Sequence, residues 1–122
     1  MQDLIQKKVW AVLGATHRTD KFGYKIFKHL LKHGYEVYPI NPNIEEIDGI
    51  RCYASITDLP VVPDVVDFVV NSKIGLLALD ECKSKGVTAV WLQPGADAPV
   101  VVEKAKELGL QVVSDCVLVQ IV

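Results

Sequence analysis

Between Gly14 and Gly23 the chain carries Thr16, His17, Arg18, Asp20 and Lys21. Two cations and a hydroxyl framed by glycines are residue types that grip an anion, a phosphate above all. The same residues leave a plainer reading open, in which Arg18 and Lys21 only solvate a surface loop. His17 and Asp20 are the residue types of an acid–base pair, but nothing in the sequence holds one against the other, so no catalytic role is assigned to them. His29 and His33 stand four positions apart on a helical pattern, and no third metal ligand accompanies them. Both are expected on the polar, solvated side of that helix. Asp115–Cys116 is the remaining reactive pair. Its thiol is either a small packing residue closing a strand or a group able to form a mixed disulfide.

These side chains must be positioned by the elements around them. "VWAVLG" (Val9–Gly14), "YEVYPI" (Tyr35–Ile40), "VVDFVV" (Val65–Val70), "VTAVWL" (Val87–Leu92) and "LQVVS" (Leu110–Ser114) read as strands. Most are continuous apolar runs, the pattern of a parallel sheet covered on both faces. Three helical patterns lie between them. Their expected buried stripes are Ile26, Phe27, Leu30 and Leu31; Ile74, Leu77, Ala78 and Cys82; and Val101, Val102, Ala105 and Leu108. Each helix ends at a glycine followed by a strand: Gly34, Gly86 and Gly109. "MQDLIQKK" predicts a short leading helix, and one short strand is expected near Arg51–Tyr53. "CVLVQIV" reads either as an edge strand or as a tail packed on the sheet. The expected architecture is a single α/β domain over residues 1–122, Rossmann-like and doubly wound, with a mainly parallel sheet of five or six strands.

Composition narrows the partners. Half of the 122 residues are hydrophobic and 23% are charged, which excludes a disordered chain. A net charge of −2 gives no support to nucleic-acid binding, and no apolar run approaches the length of a membrane span. The three cysteines, Cys52, Cys82 and Cys116, form no CxxC or zinc-ligand spacing. With a polar N-terminus lacking a signal-peptide core, the expectation is a cytoplasmic protein.

In open parallel sheets a ligand sits beyond the carboxyl ends of the strands, where strand order reverses. The loops there are Gly14–Gly23, Asn41–Asn43, Asn71–Lys73, Gln93–Asp97 and Asp115–Cys116. In the first, Gly14 permits a sharp turn, and Gly23 is expected to let a phosphate approach the backbone at the helix start. Two observations argue against NAD. The loop lacks G-x-G-x-x-G, and "YPINPN" offers no acid at the end of the second strand to hold a ribose. Pro39, Ile40 and Pro42 instead form an expected apolar ledge for a flat base, with Asn41 to hydrogen-bond it.

"VLGAT", the basic loop running into "KFGYKIFKHLLKHGYEVYPINPN", then "GIRCYASITDLP", "VDFVV" and "VWLQ" together carry a more specific signature. Across about residues 8 to 116 the chain resembles the small single-domain coenzyme A-binding proteins, which are similar to the N-terminal domain of the succinyl-CoA synthetase α subunit. The resemblance implies coenzyme A or an acyl-CoA as ligand. It implies that Gly14, Ala15, Thr16, Arg18 and Lys21, with Phe22, Gly23 and Tyr24, cradle the diphosphate. By the same likeness Pro39, Ile40, Asn41 and Pro42 line the adenosine side. Val70, Asn71, Ser72 and Lys73 would then lie along the pantetheine or nucleotide edge, and Gln93, Pro94 and Cys116 near the pantetheine end. The chain departs from the family pattern at Asn71–Ser72 and at Val117, which follows Cys116. The synthetase's phosphorylated histidine lies outside this domain, so the resemblance implies a non-catalytic binding, carrier or regulatory module. The alternative is a subunit whose reactive groups come from a partner chain. A homodimer or a partner protein fits either, and neither nucleic acid nor membrane is expected.

Overall fold

The computed structural model describes Met1–Val122. In chain order the elements are α1 (Gln2–Ile5), β1 (Val9–Leu13), α2 (Phe22–Lys32), β2 (Glu36–Ile40), β3 (Glu46–Ile47), β4 (Ile50–Arg51), β5 (Val65–Phe68), α3 (Ser72–Lys85), β6 (Ala89–Leu92), α4 (Pro99–Glu107), β7 (Gln111–Ser114) and α5 (Val117–Gln120). Five strands form one sheet in the order β2-β1-β5-β6-β7, every neighbouring pair parallel. The chain steps outward from β1 to β2 and then returns to the other side of β1 through β5. The reversal between β1 and β5 opens a crevice at their carboxyl ends. The Rossmann-like, doubly wound α/β architecture is as expected.

The near-continuous apolar strands follow from burial on both faces. Trp10, Val12, Val65 and Trp91 face a core closed by α2 and α5, while Ala11, Leu13, Val66, Phe68, Val90 and Leu92 face one closed by α3 and α4. Trp10 packs against Trp91 and Tyr35 with ring centroids 5.7 and 5.6 Å apart, tying β1 to β6 and to the entry of β2. Gly34, Gly86 and Gly109 all take positive φ where their helices turn back into strands, a conformation that costs glycine little.

The structure corrects or settles the sequence reading at four points. The buried face of α3 is Gly75, Ala78, Leu79 and Cys82; Ile74 is 47% and Leu77 is 69% exposed. Small residues let α3 sit close to the sheet and to Val101 of α4, which turns the larger apolar side chains outward. The segment after β2 is a hairpin, β3–β4, turned by Asp48 and Gly49 at φ 50° and 81°. The chain end is not an edge strand: it takes the packed alternative, as the short helix α5, with Val117 buried against α2 and Ile121 also buried. His29 and His33 are half-buried rather than solvated. Their rings stack at 4.3 Å, and the His29 Nε2 meets the Ile121 carbonyl.

Candidate functional site

The loop from Gly14 to Lys21 leaves β1 at the crevice and delivers the chain to α2. Gly14 has φ 94°, and a Cβ there would collide with the Val69 carbonyl oxygen, so only glycine fits between β1 and the end of β5. Gly23 is buried. A Cβ on it would strike the Gly14 carbonyl oxygen, so its bare backbone serves the packing of α2 on the loop. This differs from the expected opening for a phosphate. The first turn of α2 is uncapped: Lys21 occupies the N-cap without a side-chain hydrogen bond, and no acid lies in that turn. Its backbone N–H groups therefore keep their affinity for an anion. Arg18 and Lys21 are exposed beside them and take part in none of the chain's salt bridges. The Arg18 N–H donates to Thr16 Oγ1 at 3.2 Å, which fixes the bend of the loop.

At one end of this cradle lies a cleft of about 680 Å³, lined by Asn41–Glu45 together with Arg51, Cys52, Tyr53, Ala54 and Asp58. Pro39 and Ile40, expected as part of a ledge there, are buried, and Ile40 is only 1% exposed in the core; Pro42 alone of the three is open. Asn41 is also committed. Its Nδ2 donates to the Ala15 carbonyl, and its Oδ1 accepts from the Asn43 N–H, both at 2.9 Å, binding the β2 loop to the β1 loop. The flat apolar surface is supplied instead by Tyr53, with the Arg51 guanidinium 4.8 Å from its ring centre. Sequence reasoning singled out neither as lining this cleft. The signal available was the Asp-Gly turn between Ile47 and Ile50, which folds Arg51 back toward β2. Tyr24 and Lys28 of α2 hold this hairpin by hydrogen bonds to Asp48 of 2.7 and 2.8 Å. The Lys28 ammonium, then the Tyr24 hydroxyl, draw the Asp48 carboxyl below its ordinary range.

At the other end are two smaller cavities. One, of about 300 Å³, is lined by Val69, Val70, Asn71, Pro94, Gly95 and Ala96. The second, of about 110 Å³, lies between Phe22, Ile26, Val69, Gln93, Pro94 and Cys116. Asn71 faces the first but spends its side-chain oxygen capping α3, accepting from the Ile74 N–H at 3.0 Å. Ser72 is half-buried in the first turn of α3 and Lys73 is exposed beside it. Gln93 is 3% exposed, donates through Nε2 to Cys116 Sγ at 3.4 Å and accepts from the Val117 N–H at 3.1 Å. Cys116 is half-exposed, unlike Cys52 and Cys82. Burial, then the Glu81 carboxylate, push the Cys82 thiol up to about 12, which makes it inert at neutral pH. His17 and Asp20 are both exposed, and no three His, Cys, Asp or Glu side chains come together as a metal site.

An uncapped helix start with two unpaired cations thus stands between a cleft on the β2 side and two smaller cavities on the β6–β7 side. The sequence matches the CoA binding domain family over residues 8–121, and the chain belongs to that family. It is 40% identical over 81 residues to the α subunit of an ADP-forming acetate–CoA ligase II of Pyrococcus furiosus, spanning 66% of this chain and 18% of that protein. A conserved hypothetical protein from Pyrococcus furiosus superposes with a TM-score of 0.87 at 37% identity, covering 93% of this chain and 98% of that one. The apo form of a dinucleotide-forming acetyl-coenzyme A synthetase 1 of Ca. Korarchaeum cryptofilum gives 0.77 at 30% identity, covering 91% and 26%. The chain thus spans under a fifth of the curated ligase subunit it matches, and most of the length of the small Pyrococcus protein. No helix is long and apolar enough to cross a membrane.

Proposed function

We propose that this domain binds coenzyme A or an acyl-CoA along the carboxyl edge of its sheet, as a binding, carrier or regulatory module. The observation that carries the reading is the uncapped first turn of α2 with Arg18 and Lys21 unpaired beside it, at the crevice where strand order reverses. The diphosphate fits that donor set: backbone N–H groups, the Thr16 hydroxyl and two cations, with no carboxylate in the first turn to repel it. The adenosine would occupy the cleft over Tyr53, and the pantetheine arm would run the other way, toward Pro94. From β2 to β7 the sheet is four strand spacings wide, roughly 19 Å at about 4.8 Å each, a distance suited to an extended nucleotide thiol.

Titration calorimetry with coenzyme A, acetyl-CoA, NAD and NADP tests the assignment. Binding of coenzyme A with little or no response to NAD is the expected result. Clear NAD binding without coenzyme A binding overturns it.

One observation favours a second reading. The domain matches only 18% of a ligase subunit, which supports a role as one part of an acyl-CoA enzyme whose reactive groups belong to another chain or domain. Co-purification of the untagged chain with a ligase-like protein would favour that reading over a free-standing module.

A further inference from the structure

From its N-cap Lys21 onward, α2 carries Lys25, Lys28 and Lys32 at steps of four, three and four residues, which places them all on one face. No acidic residue lies within the helix. The other long helices differ: α3 sets Asp80 and Glu81 among its lysines, and α4 sets Glu103 and Glu107 beside Lys104 and Lys106. Residues 18–32 hold five cations against Asp20, a formal balance of +4 in a chain of −2, so the remainder stands at −6. Positive charge is gathered along the one helix that starts at the anion cradle. Of its lysines only Lys28 has a carboxylate partner, Asp48 at 2.8 Å; Lys21, Lys25 and Lys32 are exposed and in no salt bridge. The Lys25 ammonium lies 5.4 Å from the ring centre of Phe22, one turn nearer the cradle, which keeps its charge toward that end.

We infer that this face is an electrostatic track, which draws a multiply phosphorylated ligand to the start of α2 and sets its association rate. Lys25 and Lys32 act there at a distance, not by contact. The inference rests on the coenzyme A reading and deepens it. Coenzyme A carries a diphosphate and a phosphate monoester, roughly −4 in all at pH 7, whereas NAD carries about −1. The track therefore favours the more highly charged ligand before any contact forms. Its reach is the Debye length, about 30 Å at 10 mM ionic strength and about 8 Å at 150 mM. At about 1.5 Å per residue, Lys25 stands roughly 6 Å along the helix axis from Lys21, and Lys32 roughly 16 Å. Lys32 is thus felt at the cradle in low salt and screened at 150 mM, while Lys25 is felt at both.

The test is stopped-flow association of coenzyme A labelled on its thiol with bimane, a small neutral fluorophore, at 10 and 150 mM salt. Lys32→Gln is expected to slow association by about two- to threefold at 10 mM and to leave it unchanged at 150 mM. Adding Lys25→Gln should bring the loss to about tenfold at low salt. The paired control Lys83→Gln, Lys106→Gln removes as much charge from α3 and α4, on the opposite face of the sheet, and should cost at most about twofold. Dissociation, read by chase with unlabelled coenzyme A, should not change in Lys32→Gln. Equal losses in the two double variants would reduce the track to net charge and overturn it. No loss in Lys32→Gln at 10 mM, a loss that persists at 150 mM, or a faster dissociation overturns it as well, and leaves the ligand class standing. Failure of the wild type to bind coenzyme A removes both readings together.

Discussion

Gly23 in the first turn of α2 lies against the carbonyl of Gly14, so close that a single methyl group cannot be placed between them. The contact brings the uncapped helix start down onto the loop that leaves β1. Gly23→Ala is therefore expected to destabilise the fold by about 1–3 kcal/mol through overpacking, although alanine is the better helix former. Urea unfolding measures the first effect. The same variant should also bind coenzyme A more weakly, because the helix start must lift away from the loop.

Arg18 and Lys21 make no structural contact that their loss would expose. The double substitution Arg18→Ala, Lys21→Ala should leave the urea midpoint unchanged. Its affinity for coenzyme A should fall by several kcal/mol, at roughly 1.5–3 per charge-assisted hydrogen bond. Unchanged affinity in calorimetry would return both residues to the role of surface charges.

Asp67 sits in the middle of β5, paired in register with Val12 and Trp91, fully buried and with neither carboxyl oxygen hydrogen-bonded. Burial raises its pKa well above the ordinary value of 3.8. The folded protein therefore holds a proton that the unfolded chain gives up. Its contribution to stability is present below the unfolded pKa and is lost as pH rises toward the folded one. Asp67→Asn removes that titration. The variant should gain on the wild type with rising pH, read as the difference in urea midpoint from pH 4 to pH 8. A constant difference would show that the folded protein does not hold the Asp67 proton more tightly than the unfolded chain.

The thiols should separate by reactivity. Iodoacetamide is expected to modify Cys116 in the native protein, while Cys52 and Cys82, both buried and both raised in pKa by burial, react only after unfolding. Intact-mass measurement should count one adduct natively, and coenzyme A should slow its formation.

Much of this was legible in the chain because physics repeats itself there. Five β-branched, largely apolar runs, with each helix between them ended by a glycine, were enough to indicate the sheet and its winding. Periodicity failed at α3, where Gly75 and Ala78 face inward and Ile74 and Leu77 face out. A hydrophobic pattern cannot reveal that close packing demands small residues rather than large ones. The burial of Pro39 and Ile40 escaped the sequence for a related reason. Pro39 and Ile40 look like a ledge in sequence, but β1 pairs along one side of them, Tyr53 bridges the other, and Ile40 packs into the core. Tyr53 and Arg51 arrive only through the turn at Asp48 and Gly49, from a segment with little pattern of its own.

That returning segment has a further consequence. Tyr53 N–H donates to the Pro39 carbonyl and the Tyr53 carbonyl accepts from the Asn41 N–H, each at 2.9 Å, along the outer side of β2. Pro39 has no N–H to offer there in any case. At this end of the flank the outward-facing Pro39 carbonyl and Asn41 N–H are spent, which shortens the edge open to a foreign strand in a chain that is half hydrophobic. One wall of the Tyr53 cleft thus also guards part of the sheet's edge.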